Sequence, residues 1–257
     1  MIEEIISIAQ KAGHLIIDIY QSDDLETFTK EDGSPVTSAD RASDEYIRVT
    51  LQNQFNIPVI TEESEVCSLL RKECDEFFLV DPLDGTKDYI DKRNDFTVNI
   101  ALVRNKRPIL GVICVPMLKE IFFAEKDKGA FVDKEGQRKQ LPLTICSGIV
   151  LARSRHHDLI NVDLFAYSNK ITQSLSMSSA IRFCRLAEGK VNLYPGFNYS
   201  MEWDTAAGQI ILMESGGKVI DLSTRHELVY NKPGFRNSPF VAYSKEIYFD
   251  QLVLSDI

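Results

Sequence analysis

Apolar side chains recur at residues 5, 8, 9, 12, 16 and 19, an i, i+3, i+4 stripe that predicts an amphipathic helix over residues 2–20. Residues 25–37 are polar, and Gly33-Ser34-Pro35 marks a loop. A second helical stripe, with Ala42, Tyr46 and Val49 on one face, runs from about Ala39 to Gln54 with Ser38 placed as its N-cap. The period then changes. Pro58-Val59-Ile60-Thr61 and Phe77-Phe78-Leu79-Val80 are short apolar runs of strand formers, and each ends in acidic residues. Residues 96–103 and 109–115 flank a turn at Asn105–Pro108 and read as a β-hairpin, and 120–124 and 129–132 read as two more strands.

From there elements alternate. Gly148–Ala152 is expected to be a strand, Ser179–Glu188 a helix closed by Gly189, and Val191–Tyr194 a short strand. Thr205–Glu214 is expected to be a helix stopped by Gly216-Gly217, with Lys218–Leu222 a strand after it. The pattern divides the chain into residues 1–140, helices followed by an antiparallel-rich sheet, and residues 141–257, an α/β part.

With 257 residues, 44% hydrophobic and 26% charged, the chain has the make-up of a globular domain able to bury a sizeable core. No apolar run reaches the roughly 20 residues of a membrane span, and the acidic start lacks a signal-peptide pattern. The expected location is cytoplasmic, with peripheral association at the inner membrane as a variant of that expectation. Cysteines at 67, 74, 114, 146 and 184 are odd in number and irregularly spaced, which points to reduced thiols rather than a disulfide framework or zinc knuckle. A net charge of −9 argues against polymeric nucleic acid as a partner. It also means that an anionic substrate would be repelled unless cations reverse the local sign.

The chemistry centres on Asp81-Pro82-Leu83-Asp84-Gly85-Thr86, delivered by the Phe77–Val80 strand. Pro82 fixes φ and Gly85 permits a tight turn, so two carboxylates and the Leu83 carbonyl can converge on one point. Hard oxygen donors without nearby His or Cys suit Mg²⁺ or Mn²⁺. Each acidic signal also has a plainer reading: the hexapeptide as a surface turn, Glu62-Glu63 as solvated charge, Asp40 and Asp204 as helix caps.

Four segments together carry a family resemblance. Asp81–Thr86 resembles the DP[IL]DGT signature of inositol monophosphatase-like enzymes, and Thr61-Glu62-Glu63-Ser64 resembles their GEES segment. Trp203-Asp204-Thr205-Ala206-Ala207-Gly208 resembles WDxAAG, and Thr37-Ser38-Ala39-Asp40 resembles the T-x-x-D element, all in family order across essentially the whole chain. The resemblance implies a layered alternating α/β/α/β sandwich of the inositol monophosphatase/fructose-1,6-bisphosphatase type, with the site between the two parts. It implies that Glu62, Asp81 and the Leu83 carbonyl bind one metal, and Asp81, Asp84 and Asp204 a second. The cofactor is then two or more Mg²⁺, with Mn²⁺ able to substitute. It further implies that Asp40 and Thr86, with Glu62, manage the water that attacks phosphorus. Glu62, Leu83, Asp84, Gly85, Thr86, Arg182 and Asp204 are the residues set against the substrate. Thr86 also stands near a strand-to-helix turn whose N–H groups can meet phosphate.

Within that superfamily the sequence looks most like the CysQ-type 3′(2′),5′-bisphosphate nucleotidases. The similarity lies in Leu193-Tyr194-Pro195-Gly196-Phe197, Met201-Glu202 before Trp203, Phe183-Cys184, Ala187-Glu188-Gly189 and Tyr230-Asn231-Lys232. The resemblance implies removal of the 3′-phosphate of adenosine 3′,5′-bisphosphate, a small phosphate-ester substrate, by a monomer or homodimer. One stretch departs: Ser178-Ser179-Ala180-Ile181-Arg182 stands where the family has Gly-Ser-Ser-Leu-Lys. That leaves open an inositol monophosphatase, a sugar bisphosphatase, or more remotely a non-catalytic phosphate- or metal-binding protein. The basic run Arg153-Ser154-Arg155-His156-His157 is either surface charge or a reader of a second phosphate, with Arg155 beside Arg182 as the arginines concerned. Met177 and the aromatics at 194–199 are either core or a surface on which a base could stack.

Overall fold

A computed structural model describes residues 1–22, 26–30, 33–63, 74–156 and 159–254. Ser64, Cys67 and His157 lie outside the described residues. Helices α1 (Ile2–Gln21) and α2 (Ser38–Phe55) bracket a small hairpin, β1 (Thr27–Thr29) with β2 (Pro35–Thr37). β3 (Val59–Thr61), β4 (Glu76–Asp84), the short helix α3 (Thr86–Ile90), β5 (Thr97–Arg104), β6 (Arg107–Val115), β7 (Glu120–Glu125), β8 (Ala130–Lys134) and β9 (Gln137–Gln140) follow. Then come β10 (Val150–Ser154), α4 (Leu159–Ser168), β11 (Gln173–Met177), α5 (Ile181–Glu188), β12 (Leu193–Gly196) and β13 (Ser200–Met201). A 3₁₀ turn at Glu202–Asp204, α6 (Ala206–Glu214), β14 (Lys218–Asp221), β15 (Arg236–Asn237) and β16 (Phe240–Tyr243) complete the order.

Among the described residues the larger sheet has seven strands in sequence order, β3 to β9, with only the β3–β4 pair parallel. The second sheet has five, ordered β11-β10-β12-β16-β14, with β10 parallel to both its neighbours. Strand parity sets the layers. Phe78, Val80, Val98, Ile100, Val112 and Phe123 face α1 and α2. Phe77, Leu79, Ala101, Val103, Ile113 and Phe122 face the other way, into a core shared with α5, α6 and the inner side of the second sheet. Both faces are covered, so these strands read as nearly continuous apolar runs rather than as alternation. The outer side of the second sheet, Leu151, Leu193 and Val241, packs on Val162 and Phe165 of α4. The expected α/β/α/β alternation is present, and α4 adds an outer helix.

Three local expectations are corrected. The polar stretch 25–37 contains β1 and β2, paired from Thr27↔Thr37 to Thr29↔Pro35. The cap of α2 is Thr37 rather than Ser38: its hydroxyl accepts from the Ala39 and Asp40 N–H groups, and Asp40 answers by accepting from the Thr37 N–H, a reciprocal capping box. β9, α4, β11, β13, β15 and β16 stand where no element was expected. Cys74, Cys114, Cys146 and Cys184 are free thiols, as expected. No described helix is long and apolar enough to cross a membrane, and nothing in these residues supports the peripheral membrane association.

The small residues of the Trp203–Gly208 segment have a packing role. A Cβ on Gly208 would lie 2.3 Å from the Phe183 ring, and one on Gly111 of β6 would lie 2.5 Å from Ile210 Cγ2 and 2.7 Å from the Ala207 carbonyl oxygen. α6 therefore sits against the large sheet at a distance that only glycine allows, and Asp204 enters the site just ahead of it. Gly111→Ala is expected to destabilise the protein by about 1–3 kcal/mol, read as a lower urea midpoint with an unchanged slope. It should also lower activity by shifting Asp204. A variant with wild-type midpoint and rate would show that this contact does not position the helix.

Candidate active site

Parity also aims the carboxylates. Asp81 continues the face of Phe77 and Leu79, and its register partner on β5 is Asn99. Glu62 follows Thr61, and its N–H donates to the Val80 carbonyl at 3.1 Å, so it leaves the parallel β3 beside Asp81. Between Asp81 and Asp84 the register advances three residues on β4 against two on β5, from Asp81↔Asn99 to Asp84↔Thr97. This bulge accommodates Pro82, which a regular central strand would reject. It also reverses parity, bringing Asp84 back to the face of Asp81. Asp84 Oδ2 accepts from the Ala180 N–H at 2.6 Å and from Asn99 Nδ2 at 3.3 Å. Ser43 of α2 ties the bulge from behind by donating to the Pro82 carbonyl at 2.8 Å.

Asp204 arrives from the other side. Its Oδ2 accepts from the Met201 N–H at 2.7 Å, so it stabilises the 3₁₀ turn while facing the cluster. One oxygen from each of Glu62, Asp81 and Asp204 lies within 4.8 Å of the others. Burial, followed by the neighbouring carboxylates, pushes Asp81 and Asp204 well above the usual carboxylate range. Burial likewise pushes Asp84 up to about 6. Glu63 is pushed to about 7, chiefly by burial, although Lys30 reaches from the β1–β2 turn to both Glu62 (2.8 Å) and Glu63 (2.5 Å). A converging set of hard, under-compensated oxygens suits a divalent cation of the Mg²⁺ type.

Asp40 divides its two oxygens. Oδ2 accepts from the Thr37 N–H and hydroxyl at 2.8 and 2.6 Å, and Oδ1 accepts from the Thr86 hydroxyl at 3.0 Å. The capping role and the role toward Thr86 therefore coexist in one side chain. Thr86 Oγ1 also lies 3.2 Å from the Leu83 carbonyl oxygen. Gly85 turns the chain from strand into α3 at φ 97°, where a Cβ would lie 2.8 Å from the Asp95 carbonyl oxygen.

A cavity of about 520 Å³ opens over this cluster. Glu62, Asp84, Gly85, Thr86, Arg182 and Asp204 line it, whereas Asp81, Leu83 and Asp40 are buried behind its wall. Arg182 stacks on Tyr194, its guanidinium carbon 4.6 Å from the ring centre, and its Nε donates to the Ser179 carbonyl at 3.0 Å. Among the described residues no carboxylate forms an ion pair with it. Arg155 is placed differently. It pairs with buried Asp88 at 2.9 Å and with Asp95 at 2.6 Å, bracing the end of β10 against α3 and the loop after it. His156 meets the other Asp88 oxygen at 2.9 Å. Tyr194, Phe197 and Met177 are buried, as the core reading has it, but Tyr199 is open at the cavity.

Several contributors went unnoticed in the sequence. Lys30, Asn99, Ser43 and the Ala180 N–H act through partners 15 to 96 residues distant. Glu202 is fully buried and accepts from the Asn231 N–H at 2.7 Å and the Lys232 N–H at 2.9 Å, with the Lys232 ammonium 2.8 Å away. Asn237 donates to the Met201 carbonyl at 2.8 Å and to the Thr205 hydroxyl at 3.0 Å. This network underlies Asp204 and explains why Tyr230-Asn231-Lys232 accompanies the Glu202-Trp203-Asp204 turn. Met201-Glu202 and Tyr230-Asn231-Lys232 stand out in the sequence as marks of the resemblance, but their role in holding Asp204 does not.

The raised proton affinity of Asp84 bears on stability in the absence of metal. Its carboxyl binds a proton more tightly folded than unfolded, so this contribution to stability is present at low pH and is lost as pH rises from about 4 through about 6. With chelator present, the stability of Asp84→Asn relative to wild type should improve by a few kcal/mol between those limits, since each tenfold difference in proton affinity between the folded and unfolded chain is worth about 1.4 kcal/mol. Urea denaturation across pH checks this, and parallel curves for the two proteins would contradict it.

Comparison with known proteins bears on the whole chain. The model of the inositol monophosphatase family matches residues 1–249. The chain is 36% identical over 247 residues to the 3′(2′),5′-bisphosphate nucleotidase CysQ of Salmonella typhimurium, covering 92% of this chain and 98% of that protein. It is 34% identical to the protein of the same name from Escherichia coli strain K12, over 93% and 99% of the two chains. The crystal structure of CysQ from Bacteroides thetaiotaomicron superposes with a TM-score of 0.84 at 35% identity, over 93% and 95% of the two chains. The chain belongs to the inositol monophosphatase family.

Proposed function

We propose that this protein is a Mg²⁺-dependent 3′(2′),5′-bisphosphate nucleotidase that hydrolyses the 3′-phosphate of adenosine 3′,5′-bisphosphate to AMP and phosphate. The observation that carries this is the convergence of Glu62, Asp81 and Asp204, with Asp84 and the Asp40–Thr86 pair beside them, on one 520 Å³ cavity. Identity of 34–36% to CysQ nucleotidases over nearly the full length supports the substrate class. Glu62, Asp81, Asp84, Asp204 and the Leu83 carbonyl would hold the metal ions, two or more in number, with Mn²⁺ able to substitute. When bound, Mg²⁺ supplies the positive charge that lets an anionic ester enter an acidic site and strengthens water as an acid there.

The chain's own residues do the rest. The Thr86 hydroxyl donates its hydrogen bond to Asp40 or to the Leu83 carbonyl, which leaves its lone pairs to accept from the attacking water and hold it in line. Asp40 is itself locked by the capping box, so the direction of the Thr86 hydroxyl is set before substrate binds. No side chain need form a covalent bond to phosphorus. Arg182, stacked on Tyr194 and within the field of Asp84 and Asp204 but in no close ion pair among the described residues, is the cation available to the phosphate that is not cleaved. Arg155, already paired to two carboxylates, is a brace and not a second-phosphate reader.

Phosphate release with Mg²⁺, measured on adenosine 3′,5′-bisphosphate, inositol 1-phosphate and fructose 1,6-bisphosphate, tests the proposal. Highest kcat/KM on the first is expected. Preference for either of the others would favour the inositol or sugar phosphatase reading, and no release from any ester would favour a non-catalytic binder.

Thr86→Ala should lower kcat by about a hundredfold or more while leaving Mg²⁺ affinity within a few-fold, since its hydroxyl serves the chemical step. A calorimetric loss of Mg²⁺ affinity matching the loss of rate would contradict this division. Arg182→Ala should raise KM for adenosine 3′,5′-bisphosphate by about tenfold to a hundredfold, the worth of a charge-assisted hydrogen bond. An equal rise for a monophosphate ester would instead assign Arg182 to the fold or the metal site.

A further inference from the structure

Two tyrosines at different depths line the cavity, and each meets an arginine. The inner pair is Tyr194 with Arg182, and its ring is buried. The outer pair is Tyr199 with Arg236, whose guanidinium carbon lies 5.8 Å from the ring centre. Tyr199 lines the same cavity yet is 79% exposed. Burying the inner ring fixes a cation near the carboxylates. The outer ring offers the cavity an aromatic surface.

That surface is held in place. The two residues after Tyr199 form β13 and pair antiparallel with β15, Ser200↔Asn237 and Met201↔Arg236. Asn237 reinforces the rail by donating to Ser200 Oγ at 3.2 Å and to the Met201 carbonyl at 2.8 Å. The same rail leads directly into the Glu202–Asp204 turn, so the ring is referenced to a carboxylate of the cluster. Arg236 comes from the opposite strand of that ladder and makes a cation–π contact with the ring. The neighbouring wall, Pro195, Gly196 and Phe197, is uncharged. An exposed aromatic ring, its backbone leading into a paired strand, beside an uncharged wall in a phosphate-ester cavity fits a flat π-system carried by the ester, and offers little to a polyhydroxylated ring.

We propose that Tyr199 is a specificity-determining residue, the platform on which the nucleobase of the leaving group stacks, and that it selects nucleotides over sugar and inositol phosphates. This deepens the bisphosphate nucleotidase reading and rests on it. Steady-state kinetics with Mg²⁺ on wild type, Tyr199→Phe and Tyr199→Ala test it, with adenosine 3′,5′-bisphosphate and its base-free methyl riboside 3,5-bisphosphate as substrates. The quantity read is the ratio of KM for the base-free ester to KM for the nucleotide. Tyr199→Ala should lower this ratio about tenfold, within the range for a base stacked on an aromatic side chain, while kcat on the nucleotide stays within about twofold. Tyr199→Phe should keep the wild-type ratio. The exposed position lets both variants fold, which an unchanged melting temperature checks. A ratio unchanged in Tyr199→Ala, or KM rising equally on both esters, would overturn the proposal while leaving the nucleotidase reading intact. If wild type hydrolyses neither bisphosphate but does release phosphate from inositol 1-phosphate, the nucleotidase reading falls and the stacking proposal with it.

Discussion

Carboxylates held together away from water repel one another, and the rest of this structure is organised around keeping them there. Asp81, Asp84 and Asp204 would each be more stable ionised in solvent, and their upward displacement from the usual range records the cost. Such an arrangement persists because the surrounding fold is stable enough to impose it, and a bound cation would convert the repulsion into binding energy. Function and stability pull in opposite directions at this site.

Each carboxylate is imposed by a different feature of the fold. The parallel β3–β4 pair sets Glu62 next to Asp81, and the bulge at Pro82 returns Asp84 to the same face. Asp204 comes from a distant turn, so it depends on α6 closing on the sheet over Gly111 and on the Glu202, Lys232 and Asn237 contacts beneath it. The Arg155 brace between Asp88 and Asp95 fastens the second sheet to the segment that follows the Asp81–Thr86 turn. A change in any of these contacts is felt at the carboxylate cluster without touching one of its members.

The short motifs made the site legible, because ligand chemistry demands particular residue types at fixed local spacing. It was the family resemblance carried by those motifs that joined Asp81–Thr86, Glu62 and Asp204 into one candidate site and implied the layered architecture, while periodicity supplied the strands and main helices. What escaped was set by other forces. α4 carries Ile160, Leu164 and Tyr167 on its solvent side as well as Val162 and Phe165 on its buried side, so it shows no helical contrast. β16, only Phe240–Tyr243, is a central strand too short to signal itself. Ser38 and Thr37 are both good caps, and only the answering bond from Asp40 decides between them. Lys30, Asn99 and the Ala180 N–H are ordinary residues in sequence, recruited by tertiary contact alone. Arg155 and Arg182 are indistinguishable as letters. Their surroundings separate them, a brace in direct ion pairs with two carboxylates from a cation stacked on Tyr194 that meets Asp84 and Asp204 only through its field.

The claim that the carboxylate cluster exists to hold a cation is tested most directly by calorimetric titration of Mg²⁺ into wild type and Asp81→Asn near neutral pH. Asp81 is the buried member at the centre of the cluster and lines no part of the cavity, so its removal leaves the substrate surface intact. Saturable binding by wild type, and loss of most of that affinity in a folded Asp81→Asn, is the expected result. Equal Mg²⁺ affinity in both proteins, or none in either, would contradict the account.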